Sequence, residues 1–303
     1  MEIGGYLEFE RYGGKEYHAN CLKLNTARNC LEYLIVARNI KKMWISRWNC
    51  SAIFNIRRNN GVELSFFDLD DNFKPVLPDS YVRGDFVYVV NYYGQLFGYQ
   101  RDNMILDNVQ AFFQRPEKNT DTIYTCRKYF GVSDGAYLYT DCTLNRELKR
   151  DESAERIQYL AGRLEKSGAD YYGEFQKNEQ ILDGLPLMTM SMLTENILRS
   201  INYMEVKRKR EENFAFLNER LESVNMMDVK CPEGPFAYPM RVKDGDRIRS
   251  ILRQKKIYIA KLWPNVRDSI EKTFADDVLP LPCDQRYSID QMRIISDEVI
   301  KCL

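Results

Sequence analysis

The feature that most constrains this chain is an alternation in its first half. Short apolar runs bounded by polar turns recur at Met43–Ser46, Val62–Phe67, Phe86–Asn91 and Met104–Asp107, and a helical pattern over Cys50–Arg58 separates the first two. A longer amphipathic stretch, Leu22–Arg38, precedes them, with Cys30, Leu31, Leu34 and Ile35 at helical spacing and Asn25 or Thr26 placed to cap it. Strands that alternate with helices and read as apolar runs predict an α/β fold with a mostly parallel central sheet flanked by helices. In such sheets ligands gather at the carboxyl ends of the strands. Three polar segments fall there: Asn91–Gln95, Asp107–Gln110 and Thr125–Lys128.

Either side of this core the pattern is simpler. Tyr6–Phe9 reads as a short strand; Leu144 to Lys177 is helical and charged; Ser191–Leu221 is a second helical region with room for one break. Within it, Lys207–Arg210 has Glu205, Glu211 and Glu212 beside it and reads as a solvated face. The Cys231-Pro-Glu-Gly-Pro235 cluster marks a boundary. Beyond it, strands over Phe236–Val242 and Ile257–Ala260 and helices over Asp246–Gln254 and Ser288–Leu303 predict a small C-terminal α+β domain. The expected division is 1–225 for a large α/β domain that ends in long helices, and 226–303 for the small one.

Composition excludes several function classes. Across 303 residues, 44 basic and 44 acidic side chains cancel, so nothing in the totals recommends nucleic acid or an anionic membrane. No apolar run is long enough to span a bilayer, and Met1–Gly5 lacks the basic start and apolar core of a signal peptide, so a cytoplasmic location is expected. The eight cysteines show no paired spacing and His18 is the single histidine, which leaves little for a zinc site and makes a hydrolase triad unlikely. The cysteines are expected to be reduced and mostly buried.

The stretch richest in chemistry is Thr122–Thr140. Lys128 sits in a loop between two β-rich runs, followed by the turn Ser133-Asp134-Gly135. A lysine amine becomes a nucleophile toward aldehydes when burial and a neighbouring cation lower its pKa. Arg127, Tyr124, Tyr129 and Phe130 would supply such surroundings. Read alone, the stretch more often describes a solvated lysine. On the same terms Asp107 more often caps a helix at Asn108, Gln110 lies on a surface helix, and Trp48, Tyr92 and Tyr93 serve as core.

Taken in order, these segments resemble the DegT/DnrJ/StrS type of fold type I, pyridoxal-phosphate-dependent sugar aminotransferases, over nearly the whole chain. Asn25-Thr-Ala-Arg-Asn29 occupies the place of the family's phosphate-holding turn, which implies cofactor contacts from Thr26, Ala27 and Arg28. Ser46-Arg-Trp-Asn-Cys50 is similar to the segment that lies against the cofactor ring, implicating Trp48, and Asn91-Tyr-Tyr-Gly94 resembles a family strand end, implicating Tyr93. Leu106-Asp-Asn-Val-Gln-Ala111 looks like the family's Glu-Asp-Ala-Ala-Gln-Ala, which assigns Asp107 to the pyridine nitrogen and Gln110 to the ring hydroxyl. Lys128, six residues ahead of Asp134-Gly135, falls on the family's Schiff-base lysine, and Thr125 on a phosphate contact. Leu279-Pro-Leu-Pro282 with the closing helix matches the family's end.

The resemblance implies pyridoxal 5'-phosphate as cofactor, glutamate as amino donor, a nucleotide-linked keto-sugar as acceptor, a role in polysaccharide or related sugar biosynthesis, a homodimer and no metal. Departures concentrate at the phosphate end. The turn has Ala27 in place of glycine, Arg28 where a small hydroxyl is usual, and Ile123 where the family has serine. Two readings therefore stay open: an aminotransferase with Lys128 as its catalytic residue, and a descendant that keeps the fold as a binding or scaffold module.

Overall fold

A computed structural model describes residues 3–264, 266 and 270–303; Met1 and Glu2 lie outside them. One sheet gathers β1 (Leu22–Leu24), β2 (Lys42–Ser46), β3 (Glu63–Leu69), β4 (Pro75–Val76), β5 (Phe86–Val90), β6 (Met104–Asp107), β7 (Asp121–Thr125) and β8 (Ala136–Tyr139). Their spatial order is β1-β8-β7-β6-β5-β2-β3-β4. The five central strands β3, β2, β5, β6 and β7 run parallel, whereas β8 is antiparallel to both β7 and β1, and β4 is antiparallel to β3. The expected α/β sheet is present. All four residues of β6 and all five of β7 are buried, which is why these strands read as runs rather than alternations.

From β2 the chain first moves outward to β3 and then crosses back to β5 on the other side. That reversal puts a topological switch point between β2 and β5, and Asn91, Asp107 and Thr125 stand at the carboxyl ends of β5, β6 and β7. Helix α1 (Ala27–Ala37) packs on β7 and β8 with its N-terminus near those ends, and α2 (Ser51–Asn60) packs beside it. Helices α3 (Gln158–Glu165), α4 (Tyr172–Gly184), α5 (Met192–Leu198) and α6 (Tyr203–Leu221) follow. A two-stranded antiparallel ribbon, β9 (Tyr238–Arg241) with β10 (Val278–Leu281), is accompanied by α7 (Gly245–Gln254), α8 (Ile270–Asp277) and α9 (Ile289–Ile300).

Several elements differ from the sequence reading. The first helical stretch divides into β1 and α1 because Thr26 takes an extended backbone and its Oγ1 accepts the Asn29 amide at 3.2 Å, an N-cap that fixes the helix start. Tyr6–Phe9 pairs with no strand and stays exposed, and Ile257–Ala260 forms none either. The partner of β9 is instead Leu279-Pro280-Leu281, where Pro280 faces Pro239 in register. A ribbon with two free edges tolerates those missing donors. Helix begins only at Gln158 in the third quarter, and Asn108 starts no helix. The expected single break in the second helical region falls between α5 and α6. In the basic run, Lys207, Arg208 and Lys209 pair with surface glutamates, but Arg210 turns inward and is buried.

All eight cysteines are free; Cys30, Cys126, Cys283 and Cys302 are buried and Cys231 is exposed. Among the described residues no helix is long and apolar enough to cross a membrane.

His18 lies in a loop, yet it is buried in an aromatic box of Tyr17, Phe112, Tyr124, Tyr137 and Tyr139. Its Nε2–H donates to the Phe112 carbonyl at 2.9 Å, and Nδ1 faces the Tyr139 hydroxyl at 3.1 Å. Burial pushes the imidazole down to about 4 from an ordinary 6.5, with the Phe112 hydrogen bond pulling weakly the other way. Between those values the unfolded chain binds the proton and the folded one does not, so stability falls as pH drops through that window. At 1.36 kcal/mol per unit this costs about 3 kcal/mol by pH 4. Urea unfolding at pH 7 and pH 4 should show His18→Gln losing less stability than the parent by that order; equal losses would contradict the assignment.

Candidate active site around Lys128

The loop after β7 carries Lys128 and is tied down at both ends by backbone hydrogen bonds. Cys126 N–H donates to the Gly135 carbonyl at 3.0 Å, and the Tyr129 and Phe130 amides turn back onto the Cys126 carbonyl at 3.0 and 2.9 Å. At its far end the Asp134 carboxylate is buried and accepts from the Ser191 amide (2.8 Å), the Ser191 hydroxyl (2.7 Å) and the Thr194 hydroxyl, all at the start of α5. Gly135 has φ +110°, and a Cβ there would meet Thr194 Cγ2 at 2.9 Å, so the Asp-Gly pair is required by the turn and its close approach. The Gly135 amide then donates to the Asn25 carbonyl at 2.6 Å, which ties this loop to the N-terminus of α1.

Lys128 stands on that loop with its side chain open to solvent, while protein crowds its amine. That crowding lowers the ammonium pKa from its ordinary value. The Asp107 carboxylate opposes the shift, and the Arg127 guanidinium adds to it. The aromatic neighbour of the amine is Phe236, whose ring centre lies 5.8 Å from Nζ. Tyr124, Tyr129 and Phe130, expected around Lys128, point instead into the second aromatic core with Phe112 and Tyr137. Carbonyl hydrogen bonds from the C-terminal half steady the loop. Gln285 Nε2 donates to the Tyr129 carbonyl at 2.8 Å, and buried Arg210 donates to that carbonyl and, at 2.8 Å, to the Pro235 carbonyl, with its guanidinium 4.4 Å from the Tyr129 ring centre.

Asp107 ends β6 directly behind the lysine. Its Oδ1 accepts the Val109 amide at 2.9 Å, and its Oδ2 accepts the Tyr88 hydroxyl. The sheet register explains that partner: Val90 of β5 faces Asp107, and Tyr88 lies two residues back on the same face. Burial raises the Asp107 carboxyl above its usual range, against the pull of Lys128, Tyr88 and the Val109 amide. Gln110 is fully buried; its Oε1 accepts the Tyr93 amide at 2.8 Å, and its Nε2 has no partner among the described residues. A buried donor left unpaired is costly unless a ligand atom meets it.

Thr26, Ala27 and Arg28 form the N-cap and first turn of α1, where amides are unpaired within the helix and the dipole end is positive. Asn25 secures this end, donating from Nδ2 to the Pro186 carbonyl at 3.1 Å and from its amide to the Met188 carbonyl at 3.0 Å. Arg28 forms an ion pair with Asp183, and Arg127 forms one with Glu179. Thr125 ends β7, buried and paired with Ala136. Trp48 and Tyr93 are enclosed: Trp48 stacks on Tyr92 at 4.9 Å and 14° and donates to the Leu262 carbonyl at 3.1 Å, while the Tyr93 ring packs on Phe73.

Five contributors had not stood out in the sequence. Tyr88, Phe236, Glu179 and Asp183 touch or face site residues, and Cys50 lies within electrostatic reach of both Lys128 and Tyr88. Only Tyr88 had a signal, being a polar-tipped aromatic inside an otherwise apolar strand. Among the described residues no group of three or more His, Cys, Asp or Glu side chains could hold a metal ion.

The lysine, the carboxylate behind it, the unpaired Gln110 amide and the positive end of α1 with two guanidiniums are the donor set that pyridoxal phosphate needs, so the residues present fit that group. The sequence matches no protein-family model and no curated protein sequence. Among solved structures it is similar to a DegT DnrJ EryC1 StrS aminotransferase from Brucella abortus, with 12% identity and TM-score 0.63 over 94% of this chain and 86% of that one. It is also similar to Spr1654 from Streptococcus pneumoniae in its PLP form, with 12% identity and TM-score 0.65 over 93% and 88%. S. venezuelae DesV in complex with a ketimine intermediate gives 14% identity and TM-score 0.64 over 93% and 84%. At such identities the likeness speaks for architecture, and with the sheet order above it shows that this chain has the fold of the fold type I aminotransferases.

Proposed function

We propose that the chain is a pyridoxal-phosphate-dependent aminotransferase that passes an amino group from glutamate to a nucleotide-linked keto-sugar, working as a homodimer in the cytoplasm. The observation that carries this reading is the pairing of an accessible, pKa-lowered Lys128 with a buried Asp107 at adjacent strand ends of this particular fold. When bound, pyridoxal phosphate supplies an aldehyde that captures the donor's amine and a ring that stores the electrons freed when the donor's Cα–H bond breaks.

Each residue has a distinct task. Lys128 anchors the cofactor covalently through Nζ, and its lowered pKa raises the fraction of neutral amine available for that bond. Once released by the incoming donor, the same nitrogen takes and returns a proton. Asp107, oriented by Tyr88 and the Val109 amide, would hold the proton on the ring nitrogen. Gln110 would offer its Nε2 hydrogen to the ring oxygen, while its Oε1 stays committed to Tyr93. Thr26, Ala27, Arg28 and Thr125 belong to the phosphate end, where first-turn amides and charge favour a dianion. Phe236 offers its ring face to the amine, 5.8 Å from its centre, an electrostatic neighbour for the ammonium form.

The test is a half-reaction. Purified protein loaded with the cofactor and desalted is mixed with excess glutamate and no acceptor, and 2-oxoglutarate is counted. One equivalent per site is expected, together with loss of the lysine-linked absorption band. Loaded protein that releases no keto acid from glutamate or any other amino donor would remove the aminotransferase reading and favour a binding module.

A further inference from the structure

Two carboxylates of α4 pair with the two arginines at the N-terminus of α1 and beside Lys128. Glu179 and Asp183 are four residues apart and so share one helix face. Glu179 pairs with Arg127, the residue before Lys128, and Asp183 pairs with Arg28, in the first turn of α1. The two arginines therefore lie side by side under α4, close enough that the Arg28 charge acts on Arg127. Each cation is paired with one of these acids, and Arg127 Nε is buried with no hydrogen-bond partner among the described residues.

The two sides of this contact are not equivalent. Both arginine side chains are 18% exposed, whereas Glu179 is 37% and Asp183 58% exposed. The cations belong to the body of the protein, fixed by the β7 loop and by the capped start of α1. Asp183 sits at a rim, and Glu179 is partly exposed but holds Oε1 buried with no hydrogen-bond partner among the described residues, so the acids are less firmly held than the cations they face. Helix α4 itself is anchored elsewhere, by buried Leu182 and by Asn178, whose Nδ2 donates to the Ser133 carbonyl at 3.1 Å.

We propose that Glu179 and Asp183 form an internal anion that neutralises Arg28 and Arg127 and must be displaced before a phosphate group can seat there. Resting on the cofactor reading above, the proposal adds a residue-level gate on cofactor entry: the α4 carboxylates hold the cup closed, and a phosphate dianion opens it by taking over both guanidiniums. It also gives Arg28, which departs from the resembled pattern, a defined role. An arginine that would crowd a small phosphate turn is held aside by Asp183 until the dianion arrives.

The experiment compares the parent with Glu179→Gln/Asp183→Asn in the intact chain. Inorganic phosphate binding is measured by calorimetry, and pyridoxal phosphate attachment by borohydride trapping and peptide mapping. The variant is expected to bind phosphate and to load the cofactor at least tenfold more tightly. Its α4 amides should exchange hydrogen faster than the parent's without ligand, and the parent's should approach that rate when phosphate is added. Phosphate affinity equal to or weaker than the parent's would overturn the gate. If Lys128 is trapped in both proteins with equal affinity, the gate fails and the cofactor reading stands. If neither protein traps cofactor but the variant gains phosphate affinity, the cofactor reading fails and the gate stands as an anion switch.

Discussion

Lys128→Ala is expected to abolish covalent capture of pyridoxal phosphate and to lower turnover by roughly a thousandfold or more, because one nitrogen serves as both anchor and proton carrier. The fold should be unaffected. Lys128 is exposed, and its nearest aromatic neighbour is 5.8 Å from the amine, so its removal opens no cavity in either core. Circular dichroism and thermal unfolding measured beside turnover separate the two effects. Lys128→Arg keeps the positive charge opposite Asp107 but offers no nucleophilic amine at neutral pH, and it should be as inactive as the alanine variant. If either variant retains parental turnover, Lys128 is not the catalytic residue.

Asp107→Asn should behave differently. Its capture of the cofactor at Lys128 is expected to persist, while turnover falls about 10² to 10³-fold through loss of the carboxylate that stabilises charge on the ring nitrogen. Shape is preserved, since an asparagine Oδ1 still accepts from the Tyr88 hydroxyl or the Val109 amide. The amine of Lys128 should also change. Asp107 is the largest influence that holds the Lys128 pKa up against burial, so neutralising it drives that pKa further down and moves the rising limb of the pH–capture profile toward acid. A variant with unaltered turnover and an unmoved profile would show that Asp107 only braces the turn after β6.

These contrasts also show how much the sequence held. Strand β6 was legible because a buried parallel strand reads as an apolar run, and Asp107 stood out as the carboxylate that ends it. The Lys128 loop was legible from its Asp134-Gly135 turn, where a positive φ and a close approach call for glycine and the carboxylate caps the start of α5. What was not legible comes from long-range contacts. Phe236 reaches Lys128 from across the chain, Glu179 and Asp183 meet Arg127 and Arg28 from a helix that local pattern could place only approximately, and Arg210 leaves a charged run to bury itself under Tyr129. Strand β10 was hidden for a different reason. Prolines in Leu279-Pro-Leu-Pro282 argue against a strand, and only a two-stranded ribbon admits them. Trp48 and Tyr93 illustrate the limit of reading roles from order alone: both stand near strand ends, and both are packed into the aromatic core between β2, β5 and α8.

The most direct measurement is a mass-spectrometric map of the protein after incubation with pyridoxal phosphate, reduction with borohydride and proteolysis. The account predicts a single phosphopyridoxyl modification, on Lys128, close to one per chain at cofactor concentrations where the other lysines remain unmodified. Label spread over surface lysines, or concentrated on any residue other than Lys128, would contradict it.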